Sequence, residues 1–445
     1  MRFNLLYNRV LQNNKHDTRC SQKNGRRIKG KFDGGDISSD GGLMLVREAD
    51  RRLSLTAGVA ALVKDTRQSG KVVHEVQTMI RQRVYGMCSG NGDLNDFDQL
   101  RNDPLWQTAC DVDRPFGGKS TLCRFENKAD RQLAVGVHNV LLENFIGSFK
   151  KAPQRIILDF DATDDPVHGR QQGRFFHGYY DPYCFLPLYV FCGDQLLVAY
   201  LRESGQDAAT HSAAILKLLV KRIRRQWPAV QIIVRADSGF CRDLMLTWCD
   251  RHGVDYIIGV ARNEVLLNES EHYLKQAQEQ FEQTGQRQRV FGGIIYGARS
   301  WKLKRHVICK AEHTEKGSNP RFVVTSLDDD EEHVYDRFYC ARGDAENRIK
   351  EQMMLFSDRT SAHRWWANQW RVLLSALAYT LLETIRRVGL RSTALARAQC
   401  HKIRLKLVKI GVVLRRTKSR VRLHLPSGYP DKDIFIQCLR RLRPT

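Results

Sequence analysis

The sequence predicts an α/β protein in which a mixed sheet is flanked by a helical region on each side. Three observations predict this class. Apolar residues follow helical spacing between about Ser39 and Phe149, short strand-like and helical runs alternate between Arg155 and Val260, and three more strand-like runs lie between 290 and 327. The 445 residues are enough for two or three domains with at least one large core.

We divide the chain into six regions. They are a basic arm at 1–35, a helical region at 36–150, the first part of the α/β core at 151–261, a β-rich insertion at 262–330, two core helices at 331–390, and a basic helical region at 391–445. For the arm, disorder and an extended contact with DNA both stay open. A helix with Ser120 or Thr121 as its N-cap is predicted after Gly117-Gly118-Lys119, and it is either an ordinary capped helix or the DNA-reading helix of a helix-turn-helix.

Within the core, the runs follow the order strand, strand, strand, helix, strand, helix, strand. The predicted strands are 155–161, 186–191, 195–201, 231–237 and 255–260, and the predicted helices are 212–226 and 241–252. The first three strands suit an antiparallel meander. The later strands suit right-handed parallel crossovers.

The charge of the chain indicates a polyanionic partner. Lys plus Arg number 72 against 49 Asp plus Glu, a net charge of +23, and residues 386–445 contain 17 Lys or Arg but only Asp431 and Asp433. Nucleic acid is the favoured partner and an anionic membrane surface the weaker one. The C-terminal block either contacts the DNA backbone or folds back to complete the core, in which case Leu405, Leu407, Ile410 and Val413 are buried.

Sequence features of export or membrane insertion are not found. The longest apolar stretch, Val372–Leu382, has 11 residues, whereas a membrane span needs about 20, so it predicts a buried helix in a soluble protein. The N-terminus has no apolar core of a signal peptide. The 12 cysteines form no C-x-x-C pair and no zinc-spaced cluster. We therefore expect a reducing compartment, the cytoplasm, and no membrane partner.

Two aspartates stand at the ends of predicted strands. Asp161 follows the run Ile156–Phe160, and Asp237 follows Ile232–Ala236. Strand ends are where α/β sheets build their sites, and oxygen ligands suit Mg²⁺ or Mn²⁺. Asp159 shares a strand face with Asp161, so either side chain could reach a metal. Asp161 is preferred because it lies at the strand end.

A third carboxylate lies on a predicted helix. Tyr339, Arg342, Glu346 and Lys350 are spaced three, four and four residues apart, which places all of them on one helix face. One interpretation is a salt-bridge ladder of Arg342, Glu346 and Lys350. The other makes Glu346 a metal ligand, with Arg342 and Lys350 on phosphates and Tyr339 against a sugar or base.

The loop after Asp161 combines basic, histidine and aromatic residues. Residues 164–180 suit stacking on a displaced base, or they form a structural aromatic cluster. A zinc site at His168 and His177 lacks a third ligand at suitable spacing.

Three motifs together resemble the bacterial insertion-sequence transposases of the DDE superfamily. They are L-D-F-D-A-T-D-D-P-V-H-G-R-Q-Q-G-R-F-F-H-G-Y-Y-D from Leu158, V-R-A-D-S-G-F from Val234, and Y-C-A-R-G-D-A-E-N-R-I-K from Tyr339. The resemblance covers about residues 30–420 and is to the group with a Tyr-x2-Arg-x3-Glu signature and a β-stranded insertion, the transposase DDE domain group one. It implies an RNase H-like catalytic core.

Carried over position by position, the family's metal-binding and catalytic triad falls on Asp161, Asp237 and Glu346, and its signature Tyr and Arg fall on Tyr339 and Arg342. A lysine that often follows the glutamate by seven residues is replaced by Met353, and Lys350 could take its place as a DNA contact.

The resemblance implies a Mg²⁺-dependent enzyme, with Mn²⁺ able to substitute, that cuts and joins DNA at terminal inverted repeats and target DNA. It also implies a homodimer in the synaptic complex and a bacterial, nucleoid-associated location. The rival functions are an RNase H-like nuclease or resolvase without strand transfer, and a non-catalytic DNA-binding protein.

Overall fold

A computed structural model describes residues 18–23, 26–178 and 183–443 of the chain. The predicted arm lies outside the described residues over 1–17. Its remainder contains an antiparallel hairpin of β1 (Thr18–Lys23) and β2 (Arg26–Gly30), followed by the short strand β3 (Ile37–Ser38).

The region from 39 to 149 is helical, as predicted. Its helices are α1 (Leu43–Leu53), α2 (Leu55–Ala60), α3 (Val76–Ser89), α4 (Asp96–Leu100), α5 (Pro104–Ala109), α6 (Lys119–Glu126) and α7 (Arg131–Gly147). The prediction of Ser120 or Thr121 as the N-cap of α6 is wrong. Gly118 occupies that position, and the free backbone N–H of Lys119 donates instead to Asp98 Oδ1 of α4 at 2.9 Å. A carboxylate from another helix therefore replaces the local cap.

The core sheet begins at β4 (Arg155–Ala162) and includes the predicted meander. The strands and helices that follow are β5 (Asp165–Pro166), β6 (Phe175–Phe176), β7 (Tyr183–Phe185), β8 (Leu188–Cys192), β9 (Gln195–Tyr200), α8 (Ser212–Gln226), β10 (Gln231–Ala236), α9 (Asp243–His252) and β11 (Asp255–Val260). β8 pairs antiparallel with β4 and β9, whereas β4, β10 and β11 pair in parallel. The predicted order and directions are confirmed. β5, β7 and β6 form a small separate sheet after Asp161.

The predicted β-rich insertion extends this sheet. After helices α10 (Glu264–Glu269) and α11 (Glu271–Thr284) come β12 (Gln288–Tyr296), β13 (Arg305–Thr314), β14 (Gly317–Ser318) and β15 (Arg321–Thr325). β15 pairs antiparallel with β11, so the main path runs β12-β13-β15-β11-β10-β4-β8-β9, with β14 paired to β13. The insertion therefore continues the hydrogen-bonded ladder of the core.

The chain returns to helix after the sheet. A short α12 (Glu331–His333) leads into a π-helical turn (Val334–Tyr339) and a 3₁₀ turn (Cys340–Arg342), and then into α13 (Gly343–Met353) and α14 (Trp365–Thr384). α14 contains the predicted buried helix: residues 372–379 are all buried. None of the helices in the described ranges is long and apolar enough to cross a membrane.

The C-terminal region is only partly helical, so the prediction of a helical region is wrong in part. α15 (Cys400–Ile403) and a π-helical turn (Arg404–Val408) are followed by strands β16 (Val412–Arg416) and β17 (Val421–His424), and then by α16 (Lys432–Leu442). β16 pairs with both β17 and β3, which joins the C-terminal region to the segment before α1. β16 reads V-V-L-R-R and β17 reads V-R-L-H.

The C-terminal region also folds back onto the N-terminal helices. Leu407 and Ile410 are buried, Val413 is half-buried and Leu405 is 65% exposed. Residues from α1, α3, α14 and α16 share one apolar core. The C-terminal block was predicted either to contact the DNA backbone or to fold back and complete the core. Two of the four residues predicted to be buried in the second case are buried.

The two faces of the sheet have different partners. Leu158 and Phe160 of β4 pack in one core with α8 and α9, whereas Ile157 faces a second cluster that contains Val334 and Tyr335. Asp159 and Asp161 alternate with the first set and therefore lie on the second face. The segment that carries Glu346 covers this face.

Candidate active site

Asp161 and Asp237 come together because their strands are parallel neighbours. The register pairs Arg235 with Asp159 and Ala236 with Phe160, so both aspartates lie at the same end of the sheet. Asp161 Oδ1 accepts a hydrogen bond from the N–H of Ala162 at 2.9 Å, and Asp237 Oδ1 accepts one from the N–H of Gly239 at 2.8 Å. Local backbone donors thus hold both carboxylates in place.

Asp159 is engaged in a different way. Arg235 donates to Asp159 Oδ1 through Nε and to Oδ2 through Nη2 at 2.8 Å, and its Nη1 reaches the carbonyl oxygen of Phe338 at 2.5 Å. Asp159 is 3% exposed and Arg235 is 6% exposed, so both side chains are buried. Two parallel hydrogen bonds satisfy both oxygens of this carboxylate, which leaves Asp161 as the aspartate of β4 that faces the helical segment.

Glu346 reaches the site on a helical segment that is irregular before it. The π-helical turn and the 3₁₀ turn end at Arg342, and regular helix begins at Gly343. Such irregular turns displace the residues after them from regular α-helical spacing, and π-turns occur often at functional sites. Glu346 lies in the first turn of α13, and its side chain is 48% exposed.

Arg342 connects the carboxylates. Its Nη1 lies 3.5 Å from Asp161 Oδ2, and its Nη2 donates to Glu346 Oε1 at 2.7 Å. The Asp161 side chain is only 8% exposed. The contact of Arg342 with Asp161 is therefore long and single, whereas Arg235 holds Asp159 through two hydrogen bonds.

The site concentrates negative charge. Burial raises the pKa of Asp161 to about 7; Arg342 lowers it, and the charges of Asp237 and Glu346 raise it further. Asp237 and Glu346 are thus near enough to Asp161 to act on its ionisation. A group of anions with one arginine among them is an environment that a divalent cation stabilises.

A convergence of the three carboxylates on one point is not found. Among the described residues, no three His, Cys, Asp or Glu side chains form a group that could hold a metal ion. The guanidinium of Arg342 lies between Asp161 and Glu346 instead. The donor chemistry nevertheless fits a hard divalent cation, since all three side chains offer carboxylate oxygens and a positive group already lies between two of them.

Tyr339 points into the protein. A Cβ added at Gly259 would lie 2.6 Å from the Tyr339 hydroxyl and 3.0 Å from the backbone nitrogen of Ser238. The Tyr339 ring is half-buried and lies 5.5 Å from the ring of Tyr335. Burial raises the pKa of Tyr339, Arg342 lowers it, and Asp237 raises it further. Glycine at 259 therefore makes room for a hydroxyl beside Asp237.

Lys350 lies apart from these contacts. It is exposed, and no ion pair between Lys350 and Glu346 occurs in the described part of the chain, whereas the ion pair of Arg342 with Glu346 does. The salt-bridge ladder is therefore formed only in its first step.

The sequence did not predict two residues of the site, Arg235 and Gly259. Arg235 is the hydrogen-bond partner of Asp159. Residues two apart on a strand share a face, so the sequence already indicated that Arg235 lies on the same face of β10 as Asp237. Gly259 gave no sequence signal, because its importance depends on a tyrosine 80 positions later that packs against it.

Comparison with protein families identifies the chain. The family described as Transposase DDE domain group 1 matches residues 20–445, nearly the whole chain. The chain belongs to this family of transposases. Such DDE transposases generally use divalent metal ions and are in general polynucleotidyl transferases or endonucleases. The resemblance predicted from the three motifs is confirmed.

Other comparisons add less. None of the curated proteins matches this transposase. Among solved structures, a piggyBac transposase synaptic complex with hairpin DNA is similar, with 10% sequence identity, a TM-score of 0.44, and coverage of 83% of this chain and 79% of that one.

Proposed function

We propose that this transposase binds the terminal inverted repeats of a bacterial insertion sequence, cleaves DNA there and transfers the freed strand into target DNA. The observation that carries the proposal is the placement of Asp161 and Asp237 at the ends of adjacent parallel strands, with Glu346 on the segment that covers them. We assign an RNase H-like catalytic core to the sheet of β4, β8, β9, β10 and β11.

We assign Asp161, Asp237 and Glu346 as the catalytic residues and the ligands of Mg²⁺, for which Mn²⁺ can substitute. When bound, two such ions supply activation of water for strand cleavage and of the freed 3′-hydroxyl for strand transfer. The buried environment of Asp161 excludes water from one side of the site. The backbone donors at Ala162 and Gly239 fix the orientation of the two aspartates.

Arg342 has two roles in this proposal. It neutralises Asp161 and Glu346 in the free protein, and it turns to a DNA phosphate when the carboxylates take up metal. A guanidinium suits both partners because its N–H groups match carboxylate and phosphate oxygens. The long contact to Asp161, 3.5 Å, makes this exchange easier than it would be for Arg235.

Tyr339 and Lys350 complete the proposed DNA-binding set. The hydroxyl of Tyr339 lies beside Asp237, close to where a scissile phosphate would stand, and Lys350 is exposed one turn after Glu346. The net charge of +23 supports a nucleic-acid substrate. Because two transposon ends are cut in one complex, we propose a homodimer in that complex and a location on bacterial nucleoid DNA in the cytoplasm.

The test is product mapping on DNA that carries the ends of the element. With Mg²⁺, the protein should nick each end and join the 3′-hydroxyl to a target plasmid, and chelation by EDTA should abolish both products. Asp237→Asn should bind DNA and form neither product, whereas Glu269→Gln, on the exposed side of α10, should form both. Nicks without joined products would identify a nuclease, and binding without any product would identify a non-catalytic DNA-binding protein.

A further inference from the structure

A second positively charged feature lies outside the carboxylate site. A groove of about 860 Å³ lies between α3, α4 and α6 on one side and residues 356–371, which include the first turns of α14, on the other. Arg83, Lys119 and Arg124 line it on the N-terminal side, and Arg359 and Arg371 line it on the other. We call this feature the basic groove.

Two of these five cations have a structural role. Glu126, which is 1% exposed, accepts hydrogen bonds from Arg83 Nε at 2.6 Å and from Arg371 Nε at 2.9 Å. The carboxylate thus holds the two sides of the groove together. Because Glu126 carries one negative charge and the two arginines carry one positive charge each, these three side chains together have a net positive charge.

The other cations are open to solvent. Arg124 and Arg359 are exposed and form no ion pair within the described ranges, and the Lys119 amine lies 3.8 Å from Asp98. Phosphate contacts use side chains of this kind, since they lose no internal partner on binding.

Acidic residues at the rim are partly used by their own loop. Asp96 Oδ2 accepts a hydrogen bond from the N–H of Asp93 at 3.0 Å, and Asp93 Oδ1 accepts one from the N–H of Asn95 at 2.9 Å. With Glu126 and Asp98, which pair with cations of the groove, the carboxylates number four against five cations.

An aromatic ring is held in the groove by a strained backbone. Phe356 has φ of 66°, in the left-handed region that costs a non-glycine residue about 1 kcal/mol or more. The backbone of Gly92 packs on its ring, where a Cβ would come within 2.4 Å. The strain persists because the packing fixes the ring: Gly92 lies against it, and the Arg404 guanidinium lies 5.8 Å from the ring centroid.

The groove is also connected to the catalytic face. Thr360, the neighbour of Arg359, donates through Oγ1 to Asp165 Oδ2 at 2.7 Å, and Asp165 lies four residues beyond Asp161. The N–H of Gln172 donates to the carbonyl of His363 at 3.1 Å. The side of the groove that carries Arg359 therefore packs directly against the loop after Asp161.

We propose that the basic groove binds the sugar-phosphate backbone of the DNA that enters the active site. Arg124 and Arg359, the two exposed arginines on opposite sides of the groove, contact phosphates. This proposal rests on the proposed function, because it assigns a path for the DNA of that reaction. The contacts are to the backbone, so the groove binds without regard to sequence.

The test compares three double variants of the full chain by binding to a short fluorescein-labelled DNA duplex of fixed sequence over a series of salt concentrations. Arg124→Ala with Arg359→Ala should bind more weakly, with a salt slope shallower by about 1.8, since each lost phosphate contact removes about 0.9. The control, Arg225→Ala with Arg251→Ala, removes two exposed arginines of α8 and α9 and should keep the wild-type slope. Arg124→Lys with Arg359→Lys should restore most of the slope.

A second measurement does not depend on mutation. Cys123 is exposed and lines the groove, so bound duplex should slow its alkylation by a maleimide, measured by mass spectrometry of the peptide. An arginine-to-alanine variant with the slope of the control, together with unchanged Cys123 alkylation, would overturn the groove proposal. If the wild-type protein still cleaves element ends in that case, the proposed function stands without the groove. If the alanine variant has the shallower slope but the wild-type protein cleaves no element ends, the proposed function is rejected and the groove remains a DNA contact.

Discussion

Two aspartates on one strand face, two residues apart, are each paired with an arginine, and the two pairs differ in almost every respect. Asp159 and Arg235 lie on adjacent strands and form two parallel hydrogen bonds in a buried position. Asp161 has one long contact with Arg342, which comes from an irregular helical segment and is shared with Glu346. A buried pair with two hydrogen bonds between adjacent strands is fixed in place, whereas a shared contact on a helical segment can be exchanged for another cation.

The largest expected effect separates the two aspartates by activity. Asp161→Asn should lower the rate of DNA cleavage by at least about 10³-fold, as loss of a residue that acts at the reacting atoms does. Its melting temperature should not fall, because the substitution removes a buried carboxylate whose pKa is raised to about 7. Cleavage kinetics and a thermal melt on the same preparation check both parts. A variant that cleaves at the wild-type rate would remove Asp161 from the site.

The second expected effect separates them by stability. Asp159→Ala should lower the free energy of unfolding by about 3–5 kcal/mol, because it leaves the buried Arg235 without its partner. Urea denaturation measures this, with Asp161→Ala as the matched control that should cost clearly less. Equal losses in the two variants would mean that the two pairs are equivalent and the comparison is wrong.

The third effect concerns the packing of Tyr339. Gly259→Ala should destabilise the protein by about 1–3 kcal/mol, because the new methyl group meets the Tyr339 hydroxyl and a backbone nitrogen that cannot move. Adding Tyr339→Phe removes the nearest contact and should recover part of the loss. If the double variant is no more stable than the single one by urea denaturation, the contact at Gly259 is not with Tyr339.

The smallest effect is a pH dependence beside the site. Burial raises the pKa of Asp165 to about 7, opposed by the hydrogen bond from Thr360, and its Oδ1 has no hydrogen-bond partner. The folded state therefore binds this proton more tightly than the unfolded state, so the stabilisation is full below the ordinary pKa of 3.8 and is lost as pH rises through about 7. The free energy of unfolding should therefore fall between about pH 5 and about pH 8. Asp165→Asn should make this fall smaller by about 1 kcal/mol. An unchanged pH profile of urea denaturation would contradict the assignment.

Sequence patterns predicted the strands, their order and both strand-end aspartates, because alternation and helical spacing are local signals. They placed Asp159 and Asp161 on one face but could not choose between them by contacts, since the choice depends on Arg235, 76 positions away. The irregular turns before Arg342 were also missed, because residue spacing assumes a regular helix. The sequence did not predict the basic groove either, because residues such as Gly92 and Phe356 are far apart in the chain and come into contact only in the folded protein.

The central claim is that Asp161, Asp237 and Glu346 bind divalent cations and that Arg342 then leaves Asp161 and Glu346. Mn²⁺ binding, followed by electron paramagnetic resonance in the presence of a DNA duplex, tests this claim most directly. Wild-type protein and Glu269→Gln should bind Mn²⁺ with similar affinity. Asp161→Asn, Asp237→Asn and Glu346→Gln should each bind it much more weakly, and Asp159→Asn should bind it as the wild type does. Undiminished Mn²⁺ binding by the three triad variants would contradict the account.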